Sequence, residues 1–322
     1  MKRWLILGGS GFVGRALCEQ LVAQHGGGGV RIAVPTRRRP QAQSLLVLPT
    51  VEVVQASVHG DVALGRLLAN CDAVVNLIAI LHGSSAEFER VHVGLPQRLA
   101  AACVRAGVRR VIHVSALGVP EDPALAPSHY LRTKAAGELA LRSAGLDLTV
   151  LRPSVIFGEH DRFLNVFASL QATFPVVPLA GGEAQFQPVW VNDVAKALAH
   201  CLMDIRTIGQ TYECVGPKVY TLAELVALAG WFSGHPRRIL PLPLWAGRLQ
   251  ALLMACLPGE PLMSQDNLDS MQVPNVATGR WPGLPALGIE PTALEAIAPG
   301  YLSGGREESA EHLNAWRARA GR

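Results

Sequence analysis

Leu5-Ile-Leu-Gly8-Gly9-Ser10-Gly11-Phe12-Val13-Gly14 is the stretch on which the fold turns. The apolar run 4–7 has the composition of a buried strand. It breaks into glycines at positions 8, 11 and 14, and a helix-forming segment over 12–24 follows. A strand that feeds a helix across a bound pyrophosphate needs this arrangement. One glycine makes the tight turn, a second lets the backbone approach the phosphates, and the third lets helix pack against strand. The helix N-terminus then offers unpaired N–H groups and a favourable dipole. Gly8, Ser10, Gly11, Phe12, Val13 and Gly14 are therefore the candidate phosphate-side contacts.

The rest of the first half repeats the same alternation. Strand-like runs at 30–34, 51–55, 73–77, 110–115 and 148–152 are separated by helical segments at 62–69, 88–106 and 130–143. Such alternation predicts an α/β fold, a Rossmann doubly wound parallel sheet with helices on both faces. Gly26–Gly29 reads as a turn, since no helix follows it. After Arg152 prolines and glycines become frequent, and helices at 192–203, 222–232 and 244–257 are separated by irregular chain. The expected organisation is a nucleotide-binding domain over 1–152, to which 186–215 returns. A smaller mixed lobe over 153–322 would shape a substrate pocket and end in a charged tail.

Composition narrows the function classes. The chain of 322 residues is 49% hydrophobic and 17% charged, ample for a packed interior. A net charge of +4, with its densest cluster at Arg37-Arg38-Arg39, argues against a nucleic-acid partner. The six cysteines are scattered without metal-ligand spacing, so no metal is expected and a reducing compartment fits. No segment reads as a signal peptide or a membrane span, and a cytoplasmic location is the expectation.

The second strand ends in Pro35-Thr36-Arg37-Arg38-Arg39 with no carboxylate nearby. An NAD site usually places Asp or Glu there, on the ribose 2′-OH. Guanidinium groups match a 2′-phosphate instead, so Arg37 and Arg38 favour NADP(H), with NAD(H) as the alternative if they form only a solvated turn.

A second signal lies in Tyr130-Leu-Arg-Thr-Lys134, downstream of the strand that ends in Ser115. Helical positions four apart share a face, so phenol and ammonium can address one ligand. The ammonium is expected to lower the tyrosine's pKa towards the range of acid/base work. Ser115, with a hydroxyl to polarise a carbonyl, Tyr130 and Lys134 form the candidate catalytic set.

With these motifs the chain resembles the short-chain dehydrogenase/reductase superfamily, in its extended or atypical branch. It is especially similar to the NADPH-binding accessory subunit of respiratory complex I and its bacterial relatives. The resemblance rests on Gly8–Gly14, His113-Val-Ser-Ala-Leu-Gly118, Tyr130-Leu-Arg-Thr-Lys-Ala-Ala-Gly-Glu138, Arg152-Pro-Ser-Val-Ile-Phe-Gly158 and Phe186-Gln-Pro-Val-Trp-Val-Asn-Asp193. Weaker echoes occur at Asn76–Leu81, Leu257-Pro-Gly and Asp266-Asn-Leu-Asp269. It implies that Tyr130 donates the proton, that Lys134 binds the nicotinamide ribose, and that Asn76 and Ala79 lie beside the adenosine and its ribose. Pro153, Ser154, Val155 and Ile156 would line the nicotinamide pocket. Two departures stand out. Ala56-Ser57-Val58 replaces the Asp that relatives often carry at the adenine edge, leaving Ser57 as the available hydrogen-bonding group. His92 stands where many relatives have Asn, and reads equally as a proton relay or a buried structural histidine.

The functional expectation is an NADP(H)-dependent oxidoreductase of a carbonyl/alcohol pair, or an epimerase or dehydratase working by transient hydride transfer. The competing class is a non-catalytic NADP(H)-binding accessory or sensor protein. Relatives' associations add a link to quinone metabolism. His82, Phe157, His160, Phe163, Asn165 and Phe186 are the expected rim of the substrate pocket, from their place near strand carboxyl ends. The apolar segment 240–257, interrupted by Arg248, fits a lipid-like substrate or peripheral membrane contact, or else a core helix of the small lobe.

Overall fold

The computed structural model describes residues 1–25, 28–255 and 263–303. Strand β1 (Lys2–Leu7) turns through the glycines into α1 (Phe12–His25), and the chain returns as β2 (Val30–Thr36). The alternation continues through β3 (Val51–Gln55), α2 (Asp61–Leu68), β4 (Ala73–Asn76) and the short α3 (Ser85–Phe88). A π-helical stretch over Glu89–Gly94 joins α3 to α4 (Leu95–Ala106), followed by β5 (Arg110–Val114), α5 (His129–Arg142) and β6 (Asp147–Pro153). The remainder runs β7 (Ile156–Phe157), α6 (Leu164–Thr173), β8 (Val176–Ala180), β9 (Gln185–Phe186), β10 (Val189–Trp190), α7 (Val191–Met203) and β11 (Thr211–Cys214). It closes with β12 (Tyr220–Thr221), α8 (Leu222–Phe232), β13 (Arg238–Leu242), α9 (Leu244–Ala255), α10 (Gln265–Ser270) and α11 (Leu294–Leu302).

Seven strands form one parallel sheet in the order β11-β6-β5-β4-β1-β2-β3. Parallel strands covered on both faces read as continuous apolar runs, and Trp4 to Leu7 are all buried. One face packs Leu17 and Leu21 of α1 with Val194 and Leu198 of α7. The other packs Leu64 and Leu68 of α2, Leu95 and Leu99 of α4, and Leu141 of α5. Strand order reverses between β4 and β1, and the crevice outside their carboxyl ends is where such sheets bind ligands.

The structure departs from the sequence reading in several places. The edge strand β11 was not expected, because Thr211-Tyr-Glu-Cys214 carries a glutamate that turns out to be buried. Helix α6 was also unforeseen. The single helix expected over 88–106 is split by the π-helical stretch. A further apolar core gathers Phe157, Leu164, Leu225, Ala229, Leu294 and Ala298 between α6, α8 and α11. Cys18, Cys71, Cys103, Cys201 and Cys214 are buried and free. The tail 306–322, the Leu257-Pro-Gly echo, Cys256 and half of the Gly26–Gly29 turn lie outside the described residues. Among the described residues no helix is long and apolar enough to cross a membrane.

Two close approaches fix the layers. A Cβ at Gly14 would collide with the backbone of Gly8 and Gly9, so α1 can meet the glycine loop only through a bare Cα. Gly137 of α5 meets the His92 carbonyl in the same way, which brings the π-helical stretch against α5. Gly137→Ala should therefore destabilise the protein by about 1–3 kcal/mol, the usual range for overpacking. Gly65→Ala, mid-helix with nothing near its Cβ position, should gain roughly 0.5–1 kcal/mol. Denaturant unfolding of the two variants checks both signs.

Candidate active site and cofactor cradle

The loop between β1 and α1 is a tight backbone cradle. Gly8 holds φ at +83°, and its carbonyl accepts the Gly11 N–H at 3.0 Å. Arg15 braces the loop from α1, donating to the Ser10 carbonyl at 3.2 Å and to the Gln41 carbonyl at 3.3 Å. Phe12 and Val13 open α1, where first-turn N–H groups have no helical partner. A cradle shut to any side chain at Gly14 and facing a helix start fits a pyrophosphate. Arg37 and Arg38 follow β2 directly and are exposed, and among the described residues neither is paired with a carboxylate. Both guanidinium groups are thus free to meet a phosphate. Ser57 is exposed beside them, its Oγ accepting the His59 N–H at 3.4 Å.

Three elements meet at the catalytic set. Ser115 sits one residue past β5, with its N–H donating to the Leu151 carbonyl at 2.8 Å. Its hydroxyl is buried and has no hydrogen-bond partner. A buried hydroxyl is rarely left so, because desolvation without a partner costs about 1–3 kcal/mol. An incoming oxygen would satisfy it. Lys134 is buried on α5 and donates from Nζ to the Val114 carbonyl at 2.7 Å, one residue from Ser115. Burial brings its ammonium down to about 8, with Glu138 opposing the shift.

Tyr130 corrects one expectation. Its phenol is pushed up to about 12, chiefly by burial and then by the charge of Asp266. Burial and Asp266, rather than Lys134, set its ionisation. The tyrosine ring packs edge-on against His92 at 5.4 Å and near Phe88 at 6.4 Å between centroids. The phenol is therefore held in its neutral form.

Residues from other parts of the chain set the pose of α5. Glu138 receives Arg152 of β6 in a bidentate pair at 2.9 and 2.8 Å, both side chains buried. Asp266 of α10 accepts the His129 and Tyr130 N–H groups at 2.6 and 3.0 Å, capping the first turn. Ser128 completes the cap by accepting the Leu131 N–H, and is itself held by Ser270 at 2.8 Å. Asp266 was visible in sequence only as a weak echo, and nothing in its neighbourhood marks it as a cap for a helix 136 positions away.

His92 resolves to a structural group. Its Nε2 accepts the Ile80 N–H at 3.1 Å, and its Nδ1 faces the Thr133 hydroxyl at 3.1 Å. Thr133 donates its own proton to the His129 carbonyl at 2.8 Å, so the partners assign the proton to Nδ1. Burial, with Lys134 adding to it, drops this imidazole to about 3. The ring stays neutral, with both nitrogens bonded within the fold. It ties the loop after β4 to α5.

Several expected ligand contacts are occupied within the fold. The Asn76 amide donates to His113 Nδ1 at 3.2 Å and accepts the Ile78 N–H at 3.3 Å, while Ala79 is exposed beyond it. The Ser154 hydroxyl donates to Asn275 Oδ1 at 2.6 Å, so between buried Pro153 and half-buried Val155 and Ile156 it offers no free group. Phe157 is fully buried in the core of α6, α8 and α11. The Asn165 amide is bonded to the carbonyls of Gly158, Glu159 and Asp161 in its own loop. His160 is exposed, and His82 is half-buried. Phe163 and Phe186 meet at 5.9 Å and keep part of their surface open. A depression of about 450 Å³ between Tyr220, Leu228, Trp231 and Arg237 shares no residue with this constellation.

The model of the NAD dependent epimerase/dehydratase family matches residues 4–215. The chain belongs to that family. Among curated relatives of this family member are subunit 9 of the NADH dehydrogenase [ubiquinone] 1 alpha subcomplex from Rattus norvegicus, at 32% identity over 90% of this chain and 77% of that protein. A ceramide reductase from Caulobacter vibrioides is 31% identical over 74% of this chain and 73% of its own length. Solved neighbours include the epimerase Mth375 from Methanothermobacter thermautotrophicus, with a TM-score of 0.73, 16% identity, and coverage of 98% of this chain and 94% of that one. That likeness shows the shared fold.

A neutral buried imidazole has a signature in acid. The unfolded His92 binds a proton below its ordinary value near 6.5, whereas the folded one does so only near 3. The unfolded state therefore holds more protons across that window, and stability falls as pH drops from 6.5 towards 3. His113, also well below its usual value through burial, adds to the slope. His92→Asn should flatten the decline in urea midpoint between pH 6.5 and 4, leaving the His113 part. An unchanged slope would mean that His92 is charged in the folded protein.

Proposed function

We propose that this family member binds NADP(H) on Gly8–Gly14 with Arg37 and Arg38 on the 2′-phosphate, and interconverts a carbonyl and an alcohol on a lipid-like substrate. The observation that carries the reading is the buried, unpartnered Ser115 hydroxyl one residue from the carbonyl that holds Lys134. The division of labour follows the chain, with residues 1–152 and 186–215 holding the cofactor and the remainder shaping the pocket.

When bound, the nicotinamide supplies or accepts the hydride, and the protein provides position and the proton. Ser115 donates a hydrogen bond to the substrate oxygen and fixes its distance from Tyr130. Tyr130, neutral at pH 7 because its phenol lies near 12, donates the proton that turns a developing alkoxide into an alcohol. That direction suits reduction, since a phenol of raised pKa gives its proton to a strong base and resists ionising for the reverse step. Lys134, held on Val114, offers its remaining N–H donors to the nicotinamide ribose.

A lipid-like substrate is supported by α9. Trp245, Leu249 and Leu252 share one helix face at 71%, 52% and 53% exposure, and exposed apolar stripes of this kind mark interaction surfaces. The relative whose name is ceramide reductase acts on such a molecule. A non-catalytic cofactor-binding role is the second reading. It is favoured by the raised phenol and by the relatives named as respiratory-complex subunits, whose kind of role would bring a protein or quinone partner at a membrane.

The deciding assay follows the fluorescence of protein-bound NADPH after addition of a lipid extract. Wild type should lose the signal, while Tyr130→Phe and Ser115→Ala should slow the loss by about 10²–10⁴-fold, the usual contribution of a positioned proton donor. Tight binding with no loss in any variant would establish the binding role.

A further inference from the structure

Strands β2 and β3 end side by side, with Thr36 opposite Gln55 and the Ala56 N–H donating to the Thr36 carbonyl at 3.0 Å. Arg37 and the Ser57–His59 turn therefore leave the sheet together. Helix α4 brings Arg98 to the same place from the other side. Its guanidinium folds back over Gly94, where a Cβ would meet NH1 at 3.3 Å. Two of its nitrogens, Nε and NH2, are buried without any hydrogen-bond partner. His59 Nδ1 is buried and unpartnered as well. Three orphaned nitrogens at one sheet edge are unusual, since each lacks a partner that folded proteins nearly always supply.

The local potential is positive. Arg90, Arg98 and Arg37 all disfavour the charged form of His59, adding to the effect of its burial. Arg90 also acts on Glu87, whereas no carboxylate is paired with Arg98 among the described residues. The chemistry of the missing partner follows from what is offered. Arg98 is donor-only, and a neutral His59 can donate from its unpartnered Nδ1. The outer edge of adenine presents an amino donor beside single ring-nitrogen acceptors, so a wall of donors meets only part of it. A phosphate is acceptor-only and carries close to two negative charges, so it matches every orphaned atom.

We propose that Arg98 and His59, together with Arg37, receive the 2′-phosphate of NADP(H), so that selection for the phosphorylated cofactor is exerted from β3 and α4 as well as from the end of β2. The proposal rests on the cofactor reading above and names residues that the arginine run after β2 does not reveal.

Calorimetric titration with adenosine 2′,5′-bisphosphate and with 5′-AMP tests it. Wild type should bind the bisphosphate at least about tenfold more tightly than AMP, with each charge-assisted pair contributing on that scale. Arg98→Met should lose about tenfold for the bisphosphate and leave AMP unchanged, and His59→Asn should lose less. Thermal melting of each variant checks that the fold is intact. Equal weakening for both ligands would place Arg98 on the adenine edge and overturn the proposal, as would no effect on either. Wild type binding neither ligand would overturn the cofactor reading itself. Bisphosphate selectivity that survives Arg98→Met but falls with Arg37→Met would overturn only the wall.

Discussion

The buried pair between Glu138 and Arg152 is the constraint on which the site depends. It joins the middle of α5 to the end of β6 through two short hydrogen bonds, with Arg142 adding a longer contact and reaching on to Thr211 of β11. A helix lying on a sheet through apolar contacts alone can slide, because dispersion and hydrophobic burial have little directionality. A bidentate guanidinium–carboxylate pair cannot slide without breaking. One turn towards the N-terminus of Glu138 lies Lys134, and one turn beyond that lies Tyr130. Fixing Glu138 therefore fixes where the ammonium and the phenol stand relative to Ser115 on β5. Removing one partner of such a buried pair typically costs about 3–5 kcal/mol.

The end of α5 that bears Tyr130 is held by a different hand. Asp266 and Ser270 come from α10, far along the chain, and close the first turn that carries Tyr130. A carboxylate at a helix N-terminus satisfies free N–H groups and the helix dipole. Here it also stands near the phenol and discourages its ionisation. The same residue thus orders the helix and keeps its tyrosine protonated. Glu213 plays a related part on the edge strand, where its carboxylate gathers Thr278 and Gly279 and pins the chain that delivers Asn275 to Ser154.

The parallel sheet and the first-half alternation were legible because buried strands and glycine turns write themselves locally in sequence. Gly14 and Tyr130–Lys134 could be read from spacing alone, since turn geometry and helical periodicity are short-range. What escaped depends on contacts between distant segments. β11 was hidden because a buried glutamate in a four-residue strand looks polar until its partners at 278 and 279 are known. Phe157, expected at a pocket rim, proved to be core, because residues following a sheet strand can turn inward as readily as towards a ligand. The environment of Tyr130 was misjudged for the same reason. Sequence placed Lys134 on its helix face but could not show Val114 holding the ammonium or Asp266 arriving from α10.

The π-helical stretch over Glu89–Gly94 has a bearing on how this chain can change over time. A π-turn amounts to an α-helix carrying one additional residue. Deleting a residue there would restore ordinary helical winding and rotate what precedes it by roughly 100° relative to α4. His92 would leave Ile80 and Thr133, and the carbonyl that Gly137 accommodates would move from beneath α5. A change in the length of this stretch alters the loop after β4 and the helix that carries Tyr130 and Lys134 together. The winding of one short segment thus sets the register between two others.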